Sequence, residues 1–129
     1  AQATAASIYL ARKGKSKSEI KKFVEDNFNY SLDFDLEDLR KFYSFNETCQ
    51  ETVPQAIFTF LISNDFEDSI RKAVYIGGDS DTLACINGSI AEAFYGIPQS
   101  IAQFIKLKLD DHLLNIVNEF CDKYKVVGN

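Results

Sequence analysis

Methionine and tryptophan are absent from this 129-residue sequence, which also has only one histidine, two prolines and three cysteines. Cys49, Cys85 and Cys121 are odd in number and show no Cys-x-x-Cys spacing, which argues against a disulfide framework and against a zinc site. The single histidine, His112, follows two aspartates at an expected helix start and has no evident partner, which argues against a role as general base. A reducing compartment, the cytoplasm, fits this cysteine usage best.

Long hydrophobic runs and basic patches are also missing. No stretch of 18 apolar residues exists, and the amino end lacks the basic and then apolar pattern of an export signal. The net charge of -5 argues against nucleic acid, since phosphate backbones are bound by clustered lysine and arginine. Neither a membrane nor a nucleic acid is therefore expected as a partner. The missing methionine and an opening within an apparent helix predict a piece of a longer polypeptide.

Hydrophobic residues make up 46% of the sequence and charged residues 26%, which is typical of a globular domain with a core. Apolar residues recur at helical spacing along most of the chain, and no segment alternates for long enough to predict a strand. The sequence therefore predicts an all-α fold, an orthogonal bundle of about seven helices joined by short connections.

Local signals predict where these helices begin and end. The expected boundaries are a stop at Gly14, a capping box at Ser16 to Glu19, a short helix over 36–42, irregular chain over 45–51, Pro54 in a first turn, caps at Asp65 and Asp79, a stop at Gly96, and starts at Pro98 and at Asp110 or Asp111.

Burial is predicted from the same periodicity. Small residues at Ala84, Gly88 and Ala91 fall on one stripe with Tyr95, which predicts that their helix is central and closely approached by a neighbour. Cys85 is expected to be a small buried residue. The helix after Pro98 is expected to bury one face, formed by Ile101, Ala102, Ile105 and Leu109.

The segment Gly77 to Thr82, Gly-Gly-Asp-Ser-Asp-Thr, is the strongest candidate site. Asp79, Asp81 and Thr82 offer two carboxylates and a hydroxyl within four residues, and such hard oxygen ligands suit Mg²⁺, Mn²⁺ or Ca²⁺. Gly77 and Gly78 can adopt positive φ and let the backbone turn tightly beside a ligand.

Two known ion and phosphate loops do not fit this segment. An EF-hand loop from Asp79 needs Gly at its sixth position and Glu at its twelfth, where Ala84 and Ile90 stand. A P-loop needs a Gly-Lys-Ser/Thr sequence, and no lysine stands near Gly78. From spacing alone, a helix start capped by Asp79 is the simpler interpretation, and an incomplete metal site is the other.

Residues around this segment resemble the carboxyl-terminal signature of the ADP-ribosylglycohydrolases. The similar stretches are Gly77 to Ala84, then Ile86, Gly88, Ala91, Phe94 to Pro98, and upstream Ala3 to Arg12, Cys49 to Ala56 and Phe66 to Ala73. The resemblance covers nearly the whole chain.

The resemblance implies an all-α hydrolase with a binuclear Mg²⁺ centre, for which Mn²⁺ is an alternative. It implies that Asp79, Asp81 and Thr82 are metal ligands, that Asp81 bridges both ions, and that Gly77 and Gly78 approach a ribose. Its substrates are proteins or small molecules that carry ADP-ribose, and the reaction is hydrolysis of the glycosidic bond to the acceptor.

The family's early Gly-Asp-Ala-rich segment and its Thr-Asp-Asp motif are not found in this sequence. Residues 1–129 therefore resemble the carboxyl-terminal part of the family domain, and the catalytic acid residue is expected in a preceding part. The chain alone is expected to bind metal poorly and to be inactive, with the cleft bordered by Cys49 to Pro54. The alternatives are a noncatalytic module that binds ADP-ribose or a nucleotide, and a structural domain in which Asp79 and Asp81 are only caps.

Overall fold

The computed structural model describes residues 1–45 and 48–124, and within these ranges the secondary structure is entirely helical. The expected all-α fold is confirmed. The described ranges contain eight helices, whereas about seven were expected from the sequence. They are α1 (Gln2–Arg12), α2 (Lys17–Phe28), α3 (Leu36–Phe42), α4 (Cys49–Leu61), α5 (Phe66–Ile76), α6 (Ser80–Tyr95), α7 (Gln99–Lys106) and α8 (Asp111–Tyr124).

The chain divides into two compact units, Ala1–Tyr95 and Gly96–Asn129. The first unit holds α1 to α6 and all the buried apolar residues of the described chain. The second holds α7 and α8. No helix in the described ranges has the length and apolar character needed to cross a bilayer.

Helix starts in the first unit follow the local signals. Ser16 and Glu19 form the expected capping box, in which Glu19 accepts the Ser16 backbone N–H at 2.8 Å. Asp35 accepts the N–H groups of the α3 first turn, and Asp65 accepts the N–H of Asp68 at 2.8 Å. Gly14, with a φ of 72°, follows the end of α1. These boundaries were predictable because each cap needs only neighbouring residues.

The expected start of α4 was wrong. The helix begins at Cys49, after Thr48, so that Pro54 lies inside it and not in its first turn. Since proline lacks an N–H, Pro54 cannot donate to the Gln50 carbonyl, but the helix continues through Leu61. Of the segment expected to be irregular, residues 49–51 are helical, and Asn46 and Glu47 lie outside the described residues.

Helix α6 is central in the first unit, as expected, and it packs against α1, α4 and α5. A Cβ at Gly88 would lie 2.9 Å from Ile70 Cδ1 of α5, so a larger residue would push these two helices apart. The expectation that Cys85 is buried was wrong, because its side chain is on the exposed side of α6. Successive side chains of a helix point about 100° apart, so Cys85 lies off the buried face of α6, which contains Leu83 and Asn87.

A polar network crosses the core where α4, α5 and α6 meet. Asn87 is fully buried, and its amide accepts from Ser69 Oγ at 2.8 Å and donates to Thr59 Oγ1 at 2.9 Å. Thr59 in turn donates to the Ala56 carbonyl at 2.9 Å. The amide therefore has partners on both of its ends, which offsets the cost of burying it.

The second unit does not bury the face that periodicity predicted. None of the residues of α7 or α8 is buried, although Ile105 of α7 was expected in a core. Periodicity shows which face of a helix is apolar, but it does not show whether another element covers that face. The start of α8 follows its local signal, since Asp110 Oδ1 accepts the N–H of Leu113 at 2.8 Å.

Candidate metal centre

The connection between α5 and α6 is a tight turn of two glycines. Gly77 has φ 85° and ψ -151°, a conformation open essentially to glycine alone, and Gly78 has φ 60°. The turn places Asp79 at the start of α6, where its carbonyl accepts the N–H of Leu83 at 3.0 Å. The paired glycines therefore set the direction of the two aspartates that follow.

The backbone of Gly78 lies against an aromatic ring. A Cβ at Gly78 would lie 2.7 Å from Tyr43 Cε1 and 3.2 Å from the backbone nitrogen of Phe45. The chain after α3 thus reaches the glycine turn directly. Only a residue without a side chain permits this approach.

Asp79 lies directly before the first residue of α6, in the capping position. The N–H of Thr82, a usual partner of a capping side chain, donates to Asp81 Oδ1 at 3.0 Å. Asp79 is nevertheless only 9% exposed. A carboxylate that is buried at a helix start, while the N–H of Thr82 is used by another residue, is poorly explained as a cap alone.

The Asp79 side chain affects the ionisation of the neighbouring Asp81 carboxyl. A hydrogen bond from the Asp79 side chain, together with backbone N–H groups, lowers the pKa of the exposed Asp81. Neighbouring carboxylates repel each other, and a cation that lies between them removes this repulsion. The pair is therefore suited to hold a positive charge.

A cleft of about 380 Å³ opens beside the pair. Asp79 and Thr82 reach it from α6, three residues apart on one face as the sequence predicts, and Cys49, Thr52 and Val53 reach it from α4. Phe45 and Ile86 supply apolar walls. The stretch Cys49 to Pro54 was expected to border the cleft, and three of its residues do so from a helix. Asp81 does not line this cleft.

Tyr43 is a neighbour of the site that the sequence did not indicate. Its hydroxyl is buried, and burial raises the pKa of Tyr43, so the phenol stays protonated. A hydrogen bond with the Thr52 side chain partly offsets this rise in pKa. Tyr43 is distant from Gly77 and Gly78 in the sequence, so no local pattern would have identified it.

The donor set fits one side of a magnesium site. Asp79, Asp81 and Thr82 offer hard oxygen ligands, and Mg²⁺ is usually held by one or two carboxylates with water and substrate completing six positions. Within residues 1–45 and 48–124, no three histidine, cysteine or acidic side chains come together as a metal cluster. The remaining ligands would have to come from water, substrate or another part of the protein.

Comparison with known proteins was decisive for the family. A model of the ADP-ribosylglycohydrolase family matches residues 1–128. The chain belongs to the ADP-ribosylglycohydrolase family. This confirms the resemblance that the Gly-Gly-Asp-Ser-Asp-Thr segment and its surroundings suggested, and it agrees with the all-helical fold.

Curated relatives of this ADP-ribosylglycohydrolase family chain match over shorter segments. An uncharacterized protein of Archaeoglobus fulgidus is 39% identical over 57 residues, which covers 43% of this chain and 19% of that protein. ADP-ribosylhydrolase ARH3 is 42% identical in Bos taurus and 40% identical in Homo sapiens, each over 60 residues, 38% of this chain and 16% of the relative. The matched segments thus span less than a fifth of these relatives' length. No solved structure matches the chain significantly.

Proposed function

We propose that the protein hydrolyses the glycosidic bond that joins ADP-ribose to a protein side chain or to a small acceptor, and that it requires Mg²⁺. The observation that carries the proposal is the buried Asp79 at the start of α6, which lines an open cleft together with Thr82, with Asp81 next to them in the chain. Family membership and the similarity to proteins named ADP-ribosylhydrolase ARH3 support this choice of reaction.

In this proposal Asp79, Asp81 and Thr82 would hold the metal, and Asp81, the more exposed aspartate, would be the ligand common to two ions. Bound Mg²⁺, with Mn²⁺ as an alternative, supplies positive charge that polarises a water and stabilises the transition state of bond cleavage. The burial of Asp79 and the positive φ of Gly77 and Gly78 support this proposal, because both restrict where the Asp79 carboxylate can lie. Gly77 and Gly78 leave room for a ribose near the backbone.

We further propose that residues 1–129 form the carboxyl-terminal part of a larger all-α domain. The absence of a third acidic side chain beside Asp79 and Asp81, within the described residues, supports this division of the site. The other metal ligands and the catalytic acid residue would then lie in a preceding part. The same cysteine usage that excludes a disulfide framework supports a cytoplasmic location.

A noncatalytic module that binds ADP-ribose is the second candidate. The same observation favours it, because a site with only two carboxylates in the described chain suits ligand binding without hydrolysis. Both candidates would bind ADP-ribose, but only the hydrolase would release it from an acceptor. Release of free ADP-ribose from a modified protein or a small ADP-ribosyl compound separates them.

The test compares aspartate variants in the complete open reading frame that encodes this chain. Asp79→Asn and Asp81→Asn keep the side-chain shape but remove the charge, and Asp111→Asn makes the same change at the start of α8, outside the first unit. Mg²⁺ affinity is measured by calorimetry, and turnover by release of ADP-ribose. The two site variants are expected to lose about a hundredfold or more in both quantities, while Asp111→Asn keeps wild-type values.

Unchanged Mg²⁺ affinity in Asp81→Asn would show that the aspartates are only helix-start residues. The noncatalytic module would be favoured if the two site variants lose Mg²⁺ binding but the wild type itself shows no measurable turnover. The isolated 129-residue chain is expected to bind Mg²⁺ more weakly than about 1 mM, and tighter binding by this chain would contradict a divided site.

A further inference from the structure

Helix α3 and the residue after it lie against both ends of the glycine turn. Leu36, Leu39 and Tyr43 pack against an apolar cluster that includes Ile76, the last residue of α5, and Leu83 in the first turn of α6. The spacing of three and then four residues places these three side chains on one face of the helix. The short helix is therefore fixed to the chain before the turn and to the chain after it.

The two glycines of the turn face two different side chains from this segment. A Cβ at Gly77 would lie 2.9 Å from Arg40 Nη1, and a Cβ at Gly78 would lie 2.7 Å from Tyr43 Cε1. Arg40 is exposed, and its guanidinium lies over the Tyr75 ring with its carbon 5.5 Å from the ring centre. Such a long side chain can move aside, whereas the half-buried Tyr43 ring is held by its packing. The firmer of the two contacts is therefore the one at Gly78.

The hydroxyl of Tyr43 extends this contact to α4. It forms a hydrogen bond with the Thr52 side chain, and Thr52 lines the candidate metal cleft. Burial is the main cause of the raised pKa of Tyr43, and the nearby charges of Asp79 and Glu51 add to it. Tyr43 thus lies beside Asp79 and joins the turn to one wall of the cleft, without being one of the residues that line the cleft.

The backbone of the turn needs such a contact to hold one conformation. Glycine has wide φ and ψ freedom, so two successive glycines restrict their own position less than any other pair of residues. Any movement at Gly78 is passed to Asp79, the next residue, whose carboxylate is one of the proposed metal ligands. The restraint must therefore come from the side chains that pack on the glycines.

We propose that Tyr43 is a positioning residue of the candidate metal centre, whose ring holds Gly78 and, through it, the Asp79 carboxylate in place. The role in metal binding rests on the proposed Mg²⁺ site, whereas the restraint of the turn by the ring does not. Residues that orient metal ligands without touching the ion commonly alter metal affinity by about 10- to 100-fold when they are changed.

The first test uses the 129-residue chain without metal. Tyr43→Leu removes the ring but keeps an apolar side chain, Tyr43→Phe keeps the ring, and Tyr9→Leu makes the larger change at an exposed position of α1. Hydrogen exchange is compared at two amides of α6: that of Leu83, which donates to the Asp79 carbonyl at 3.0 Å, and that of Ala91, further along the helix.

Tyr43→Leu is expected to accelerate exchange at Leu83 about tenfold more than at Ala91, because a loosened turn opens the start of α6 without unfolding the core. Tyr43→Phe and Tyr9→Leu are expected to show no such preference for Leu83. A role in stability alone would accelerate exchange at both amides equally, and that result would overturn the proposal.

The second test measures Mg²⁺ affinity by calorimetry in the protein encoded by the complete open reading frame. Tyr43→Leu is expected to weaken Mg²⁺ binding about tenfold, while Tyr43→Phe and Tyr9→Leu keep the wild-type affinity. Thermal unfolding of each variant confirms that the titrated protein is folded.

Two outcomes of the second test would contradict a positioning role of the ring. They are wild-type Mg²⁺ affinity in Tyr43→Leu and an equal loss of affinity in Tyr43→Phe, which would assign the effect to the hydroxyl. If Asp79→Asn loses Mg²⁺ while Tyr43→Leu retains it, only this inference fails. If the wild type binds no Mg²⁺, the hydrolase proposal fails, and the exchange rates still decide whether Tyr43 restrains the turn.

Discussion

At the scale of single residues, the glycine turn before α6 is the most constrained feature of the site. Gly77 and Gly78 both have positive φ, and Gly78 also touches the Tyr43 ring. Backbone conformation and packing therefore both demand glycine at position 78. Gly14 shares the positive φ, at 72°, but an added Cβ there would meet nothing within 4 Å.

Gly14 and Gly78 offer a direct comparison of backbone strain with and without a packing clash. Gly14→Ala is expected to lower the free energy of unfolding by about 1 kcal/mol, the cost of a left-handed conformation. Gly78→Ala is expected to lower it by about 2–3 kcal/mol, because the methyl group must also displace Tyr43. Urea unfolding of the two variants measures the difference. Equal losses would show that the Tyr43 ring moves away freely.

The residue scale also shows where sequence reasoning stops. Spacing placed Asp79 and Thr82 on one face, and both do line the cleft. The choice between a cap and a ligand depends on which oxygen accepts the Thr82 N–H, and that is set by side-chain geometry and not by spacing. Tyr43 and Phe45 reach the site through tertiary packing, which no local pattern encodes.

At the scale of elements, the start of α2 is stabilised by several hydrogen bonds to one carboxylate. Glu19 accepts hydrogen bonds from Lys15 Nζ at 2.8 Å, from the Ser16 N–H at 2.8 Å and from Ser16 Oγ at 3.0 Å. These bonds, with Lys15 the largest cause, lower the pKa of Glu19 from 4.5 to about 2. The ionised form is therefore favoured by folding.

The sign of the pH effect follows from that lowered pKa. The stabilisation by Glu19 is complete above pH 4.5 and is lost as the pH falls towards about 2. Glu19→Gln is expected to melt below the wild type at neutral pH, and the difference is expected to shrink across this window. Thermal unfolding followed by circular dichroism measures it.

A matched control is Glu119→Gln on α8, where the glutamate is exposed and outside any capping box. Its melting temperature relative to the wild type is expected to be independent of pH. A constant difference for Glu19→Gln as well would contradict a capping role for the carboxylate.

Elements also show a characteristic failure of sequence reasoning. The starts of α2, α3, α5 and α8 were predictable because a capping side chain bonds to its own first turn. The start of α4 was not, because proline is usual in a first turn and Pro54 is an exception. The position of proline limits a helix start but does not determine it.

At the scale of the whole molecule, the two units differ in burial. Every buried apolar residue of the described chain lies within residues 1–95, and α7 and α8 bury none. The all-helical class and the family were predictable from periodicity and from the Gly-Gly-Asp-Ser-Asp-Thr segment. The division into two units was not, since α7 and α8 have apolar stripes as regular as those of the core helices.

This division predicts the behaviour of a shortened chain. Residues 1–95 alone are expected to unfold cooperatively with a melting temperature close to that of the 129-residue chain, because the whole core is retained. Residues 96–129 alone are expected to show no cooperative transition, since α7 and α8, which make up most of their described part, contain no buried residue. Circular dichroism during heating measures both. Loss of cooperativity in residues 1–95 would show that the second unit supports the first.

The Asn87 network has a consequence for which folds the chain avoids. A slip of α6 by one residue would rotate it by about 100° and carry the amide away from Ser69 and Thr59. The slipped packing would still bury apolar surface, but the Asn87 amide would be buried without a hydrogen-bond partner from protein or water. Asn87 therefore disfavours slipped packings of α6, because its hydrogen bonds form only in the native one. It selects one alignment of α6, and so one position of Asp79 and Asp81, from several that hydrophobicity alone would accept.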